Sequence, residues 1–264
     1  MSLPEGHPTV HEHWGRKCPV TGDSHDFCPP QEGDIRSVCP ALNTMANHGY
    51  IARDGKNISA QDIVVGLKAC YGLSNPLAYF LSYVGFIILR KFRRISLAEI
   101  GKHGAVEHDA SLVHHDTPEG QEYAPIAIDP ALVETFIADV RPTAKEVQGS
   151  TEDGVEFLMN AEDVGRSRVR REKECRPVDA IHAEIARGEM AIILGVWEKK
   201  TRTKAGIPVD WVQRWISEER LPEGWKPDHT ENLLDVVKRA KSIKAAADMI
   251  RQEEAANVPP PKPV

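Results

Sequence analysis

The sequence predicts an all-α fold, and three observations carry the prediction. Apolar residues recur at helical spacing in several separate segments. No stretch of any length alternates apolar and polar residues as a half-buried strand would. Ser, Asp and Pro stand where helices need caps and first-turn residues. With 264 residues, 41% hydrophobic and 27% charged, the chain is long enough to bury one sizeable core. Composition divides it into a His-rich, irregular extension over residues 1–33, a single mainly helical domain over 34–228, and a terminal helix with a Pro-rich tail over 229–264. The tail reads as disordered.

Pro40 suits the first turn of a helix and makes Cys39 its N-cap, while Asn47-His48-Gly49 supplies the stop. Ile63–Tyr71 has helical spacing. Leu77–Phe92 is almost continuously apolar and reads as a core helix. Its alternative is a helix lying in a membrane interface, with Lys91, Arg93 and Arg94 on headgroups. Ser96 and Glu99 form a capping box for a helix over Ser96–His103. Asp129-Pro130 opens another helix that runs to about Val140. Asn160–Glu174 is charged and helix-prone, reads as an exposed, salt-bridged face, and ends before Pro177. Val178–Trp197, Asp210–Arg220 and Leu233–Glu254 complete the set.

The formal net charge of −6, from 33 basic and 39 acidic side chains, argues against nucleic acid as a partner. Membrane contact is not expected. The first twenty residues are polar and carry no secretory leader, so the expected compartment is intracellular and cytoplasmic, with secretion as the alternative. The Asn57-Ile58-Ser59 sequon is then unused. Five cysteines rule out a pure disulfide framework. Cys18 and Cys28 either pair or bind metal with His7, His11, His13 and His25. Cys70 and Cys175 read as buried or free thiols. His114 and His115 read as surface residues.

A sulfur at a helix N-terminus faces free backbone N–H groups and the positive end of the helix dipole. Both lower the thiol pKa, so Cys39 reads as a thiolate, either a nucleophile or a metal ligand. The segment CPALNTMANHGYIARDGKNIS closely resembles the Cys-Pro-x-Leu-Asn-x-x-Ala-Asn-His-Gly segment of the fungal haem-thiolate peroxidases, the chloroperoxidase and unspecific peroxygenase family, in its short branch. HGAVEHDASL at 103–112 resembles that family's Glu-His-Asp-x-Ser motif, and WISEERLPEGWKP at 215–227 its closing segment. The departures are the extension before Asp34, the tail after His229, and Val38 in place of the usual Pro before the ligand Cys. The resemblance implies that Cys39 is the axial thiolate of haem b, held in the Cys39-Pro40-Ala41-Leu42 turn. There the N–H groups of Ala41 and Leu42 would bond the sulfur. It further implies a magnesium ion held with a haem propionate by Glu107, Ser111 and the carbonyl of His108. The His108 ring would enter the distal pocket, with Asp109 as the carboxylate that orients it.

Moving a peroxide proton needs a carboxylate above the iron. Glu172 and Glu174 lie in the Arg-rich run RSRVRREKE. Glu189 is better placed, because Ile181, Ile185, Glu189, Ile192 and Val196 share one helical face. A carboxylate inside an apolar stripe should be buried, partnered and raised in pKa, and His108 is the expected partner. The expected function is a haem-thiolate peroxidase or peroxygenase acting with hydrogen peroxide on small organic, apolar or aromatic substrates. The apolar Pro76–Phe92 stretch would suit an access channel for them, and core packing explains it equally well. The rivals are a thiol hydrolase built on Cys39, His108 and Asp109, and a non-enzymatic metal- or membrane-binding protein.

Overall fold

A computed structural model of the chain describes residues 10–140, 158–200 and 205–257. Among them are eight α-helices: α1 (Pro40–Asn47), α2 (Ala60–Tyr71), α3 (Asn75–Ile88), α4 (Pro130–Ala138), α5 (Ala161–Lys173), α6 (Ala180–Val196), α7 (Val209–Glu218) and α8 (Leu233–Ala256). The starts follow local chemistry. Pro40 follows the N-cap Cys39, Asp129 accepts from Ala131 N–H, and Ser59 and Asn160 make reciprocal capping boxes with Asp62 and Asp163. The Ser96–Glu99 box also forms, but it starts a short 3₁₀ turn over Leu97–Gly101 instead of an α-helix.

The long helix α8 is the spine on which α5 and α6 pack, α2 pairs with α3, and α1 lies against α2 and α7. The core centres on Trp197, fully buried at the end of α6. Its ring meets Trp215 edge-on at 5.2 Å, Trp225 at 6.1 Å and Tyr71 at 6.2 Å. Gly195 lets the buried Glu231–Arg239 ion pair (2.6 Å) lie against α6, because a Cβ there would strike the Glu231 carboxylate.

Four expectations need correction. A small antiparallel sheet exists, β1 (Leu158–Met159), β2 (Lys199–Lys200) and β3 (Ala205–Pro208), in the order β1-β3-β2, with Met159 opposite Ile207 and Lys199 opposite Gly206. Strands this short carry no period to detect. The apolar α3 is only half core: Leu77, Ala78, Ser82 and Phe86 are buried, whereas Tyr79, Phe80, Tyr83, Ile87 and Ile88 are exposed. Among the described residues, no helix is long and apolar enough to cross a membrane. The charged α5 is not a solvated face, because Asp163, Ser167, Arg168 and Arg171 are buried. Arg168 donates to the Ala110 carbonyl and Arg171 to that of Ser111, contacts that hold inside two guanidinium groups that composition alone would send to solvent. His114 is buried and donates to the Ala127 carbonyl, while His115 is exposed and pairs with Asp129 at 2.8 Å. The Pro-rich tail from 258 and His7 lie outside the described residues.

One buried group makes stability pH-dependent. Burial presses the His48 pKa from 6.5 down to about 4, so the native ring is neutral where the unfolded one takes a proton. Its contribution is complete above pH 6.5 and is lost as pH falls through about 4, a loss on the order of 3 kcal/mol. Urea unfolding of wild type and His48→Gln at pH 7, 5.5 and 4 should show the stability gap between them narrowing toward acid. Parallel curves would exclude His48 as the source.

Candidate functional site

The polar residues of the Cys39 segment fix the helix that carries it. Asn43 Oδ1 accepts from Ser37 N at 2.9 Å, and its Nδ2 donates to the Ser37 carbonyl at 2.7 Å and to the Glu219 carboxylate. One turn later, Asn47 Oδ1 accepts from Arg36 Nε at 3.0 Å and Nη2 at 2.7 Å, while its Nδ2 donates to the Glu219 carbonyl at 3.1 Å. The i, i+4 spacing of Asn43 and Asn47 puts both on the face that meets the Glu219 turn. His48 Nε2 accepts from Leu221 N at 3.2 Å and its Nδ1 donates to the His25 carbonyl at 2.8 Å. Glu219 itself sits in a left-handed C-cap at the end of α7, with φ +50°. The first and third sequence blocks are therefore two halves of one buried clamp.

Cys39 stands at the free end of that clamp. Cys39 makes no side-chain cap hydrogen bond, but the amides of Leu42 and Ala41 act on its sulfur in the direction of the thiolate, and the Tyr71 hydroxyl donates to the Ala41 carbonyl at 3.0 Å. The expected lowered pKa is not what this environment gives. Burial pushes the Cys39 thiol up to about 12; the two amides work against that, and the Glu189 and Glu219 carboxylates add to it. Alone, the protein keeps this sulfur protonated. A bound metal cation is the element that would make it a thiolate.

His108 lies in the loop before α4 and Glu189 on α6. His108 Nε2 and Glu189 Oε2 approach to 3.6 Å. Burial lowers the His108 pKa, but the Glu189 carboxylate and the Asp109 carbonyl outweigh it, and the net shift is upward. Asp109 does not orient His108 through its carboxylate, as the sequence led us to expect. The ring Nδ1 donates to the Asp109 main-chain carbonyl at 2.6 Å, and the carboxylate is held bidentately by Arg176 at 2.8 Å. Glu189 also departs from its expected setting, with its side chain 57% exposed. On the same face Ile181 is 72% exposed and Ile185 and Ile192 are half-buried, while the core side of α6 holds Ala186, Ala191, Ile193 and Leu194. The stripe is real, but it borders an accessible surface. Glu189 acts electrostatically on both Cys39 and the buried Arg168, so three distant segments converge there. Glu172 and Glu174 are tied instead to Arg168, Arg251 and Arg170.

The Glu107 carboxylate is buried and already engaged, accepting from His103 Nδ1 at 2.7 Å and Thr117 Oγ1 at 3.2 Å. Ser111 Oγ accepts from the amides of Val113 and His114 at 3.3 and 3.1 Å. Both oxygens keep lone pairs, but His103 is a counter-group to Glu107 inside the protein. Sequence reasoning gave no role to His103, Thr117, Arg168, Arg176 or Glu219. The second block, the Arg-rich run and the third block contain His103, Arg168 and Glu219, and nothing pointed to the other two.

Residues 25–230 match the family model for peroxidase, family 2. The chain is 23% identical to the chloroperoxidase of Leptoxyphium fumago over 253 residues, a match covering 88% of this chain and 65% of that protein. It is 30% identical to an aromatic peroxygenase of Cyclocybe aegerita over 123 residues, covering 39% of this chain and 33% of the relative. A third similarity, 45% over 66 residues, is to the dothistromin biosynthesis peroxidase dotB of Dothistroma septosporum, covering 25% of this chain and 16% of that protein. The chain thus spans less than two thirds of the length of these relatives.

Proposed function

Because the chain belongs to peroxidase family 2, we propose that it is a haem-thiolate enzyme that uses hydrogen peroxide to oxidise or oxygenate small organic molecules. What supports this is the convergence of Cys39, His108 and Glu189 from residues far apart in sequence. Haem b suits the donor set: one sulfur at an open helix end, two amides aimed at it, and an accessible apolar strip on α6 beside the acid pair. When bound, haem supplies the iron at which a peroxide O–O bond is cleaved, and thiolate donation favours that cleavage. The Ala41 and Leu42 amides would hold the sulfur and moderate its donation.

Glu189 is the acid–base residue of this proposal. Its Oε2 takes the proton from one oxygen of hydrogen peroxide and returns it to the other, which leaves as water. His108 Nε2 faces Glu189 Oε2 at 3.6 Å, its ring held by the Asp109 carbonyl, and keeps the carboxylate in place. The strip of Ile181, Ile185 and Ile192, and the relatives named aromatic peroxygenase, support an apolar or aromatic substrate. The hydrolase reading is not favoured. Cys39 is driven toward the thiol, the wrong direction for a nucleophile, and Asp109 is committed to Arg176.

The magnesium ion is part of the proposal. Glu107, Ser111 and the His108 carbonyl are oxygen donors of the right hardness, with His103 as competitor for the carboxylate. The compartment proposed is cytoplasmic, supported by Cys70 and Cys175, which stand as free thiols.

Four outcomes test these readings. The reduced carbon-monoxide complex should show the red-shifted Soret band of thiolate-ligated haem, and Cys39→Ser should lose it. Glu189→Gln should keep that band yet lose roughly 10²–10⁴-fold in the rate of reaction with peroxide, with His108→Ala slow and the double variant far from additive. Full activity in Glu189→Gln would reject it as the acid–base group. Glu107→Ala should lower haem retention and abolish any magnesium found by elemental analysis; unchanged retention without metal would remove the cation. Asn57 is exposed, so glycan at this site on the native protein would place the chain in the secretory route.

A further inference from the structure

The N-terminal arm holds a second constellation, three of its four residues ahead of the family match. His11, His13, Cys18 and Cys28 each present one ligand atom, and the four atoms lie within 4.8 Å of one another. His11 Nε2 is 3.1 Å from His13 Nε2 and 3.3 Å from each of the two sulfurs. We propose that these residues form a structural Cys₂His₂ zinc site that clasps the N-terminal arm onto the helix carrying Cys39.

The distances suit a tetrahedron. Zinc bonds of about 2.3 Å to sulfur and about 2.0–2.1 Å to nitrogen give ligand–ligand edges of roughly 3.3–3.8 Å. Two thiols and two imidazoles are a donor set that selects zinc over the oxygen-seeking cations. Cys18 and Cys28 are 2% and 0% exposed, and His13 is 6% exposed, so the centre is shielded from solvent. With four protein ligands, no position is left for substrate, which marks a structural centre and not a catalytic one.

The surroundings are built for ligation. His13 Nδ1 pairs with Asp34 Oδ2 at 2.7 Å, which puts the ring proton on Nδ1 and leaves the Nε2 lone pair directed at the cluster. That carboxylate, only 3% exposed, also accepts from Gln31 N at 2.8 Å. Cys18 opens a tight turn whose ends exchange two backbone bonds, Gly22 N to the Cys18 carbonyl (2.7 Å) and Cys18 N to the Gly22 carbonyl (3.3 Å). Gly22 takes the positive φ of 62° that this turn needs. The turn aims the amides of Val20 and Thr21 at the sulfur, at 3.4 and 3.5 Å. A Cys18–Cys28 disulfide would use the sulfurs but leave two imidazole nitrogens facing each other at 3.1 Å. One cation satisfies all four.

The site is joined to α1 by the main chain. Cys28 N donates to the Asn47 carbonyl at 3.0 Å. The buried Arg53 donates to the carbonyls of Arg16, Ser24, Asp26 and Asn47. His25 stacks on Tyr50 at 3.8 Å. The metal thus closes a loop whose other contacts already hold the back of the Cys39 helix.

The inference stands apart from the haem reading and is read by a different metal. The full-length haem-loaded protein, purified after expression with zinc, should contain one zinc per chain by elemental analysis. Its zinc-edge X-ray absorption should show two sulfur and two nitrogen neighbours. Cys18→Ser and Cys28→Ser should each cut zinc content at least tenfold, with Cys175→Ser unchanged. Asp34→Asn, which leaves the ligands in place, should weaken zinc about 10–100-fold in chelator competition, and guards against ligand variants that fail to fold. A metal-free protein two hydrogens lighter, with Cys18 and Cys28 joined, would overturn the proposal. So would zinc retained in Cys28→Ser, or zinc with only light-atom neighbours. Loss of the haem band with zinc retained would sink the haem reading alone.

Discussion

Everything about the site depends on how the short helix α1 is held, because its N-cap residue, Cys39, carries the sulfur. Eight residues give it little stability of their own. Rigidity comes from buried polar contacts: Asn43 and Asn47 on the Glu219 turn, Arg36 beneath Asn47, and His48 between Leu221 and His25. Such groups are costly to bury unless each partner is met, so once met they accept a single arrangement. That arrangement points the N-terminal end of the helix, with its amides, at the site.

The electrostatics divide the labour between protein and metal. Burial and two carboxylates hold Cys39 as a thiol, and the helix amides do not reverse it. A sulfur poised this way is unreactive by itself and becomes a strong donor only to a cation strong enough to displace its proton. Across the site, His108 is buried yet gains basicity from Glu189, which keeps a carboxylate and a proton carrier together at an accessible surface. The positive side chains nearby are spent on structure: Arg168 on the Ala110 carbonyl and Glu172, Arg176 on Asp109. They stiffen the loop that presents His108.

The N-terminal arm strengthens the same helix from behind. Arg53, with no exposed surface, ties four backbone carbonyls of arm and helix together, and the Cys₂His₂ cluster lies at the far end of that tie. The extension is thus part of the scaffold of the site, although the family match begins only at residue 25.

Much was legible in the sequence because it is local. Caps at Cys39-Pro40, Asp129 and Asn160, and the periodicity of α5 to α8, rest on interactions within a turn or two, and these elements formed close to where they were read. The resemblance carried by CPALNTMANHG and EHDAS identified the family because those letters are the clamp and the loop themselves. What the sequence could not decide was which side of each helix meets which neighbour. Glu189 looked interior because its stripe is apolar, and Arg168 looked exterior because its neighbours are charged; the fold reversed both. Asp109 could not be assigned to Arg176, nor His103 to Glu107, from spacing alone. The four ligands of the arm were a loose set of possibilities until the turn at Gly22 brought them within one coordination sphere. Helical period and capping are set by neighbours in the chain, whereas burial and most of the pairing are set by segments distant in sequence, as with Asn47 and Glu219, which are 172 residues apart, and only packing brings those together.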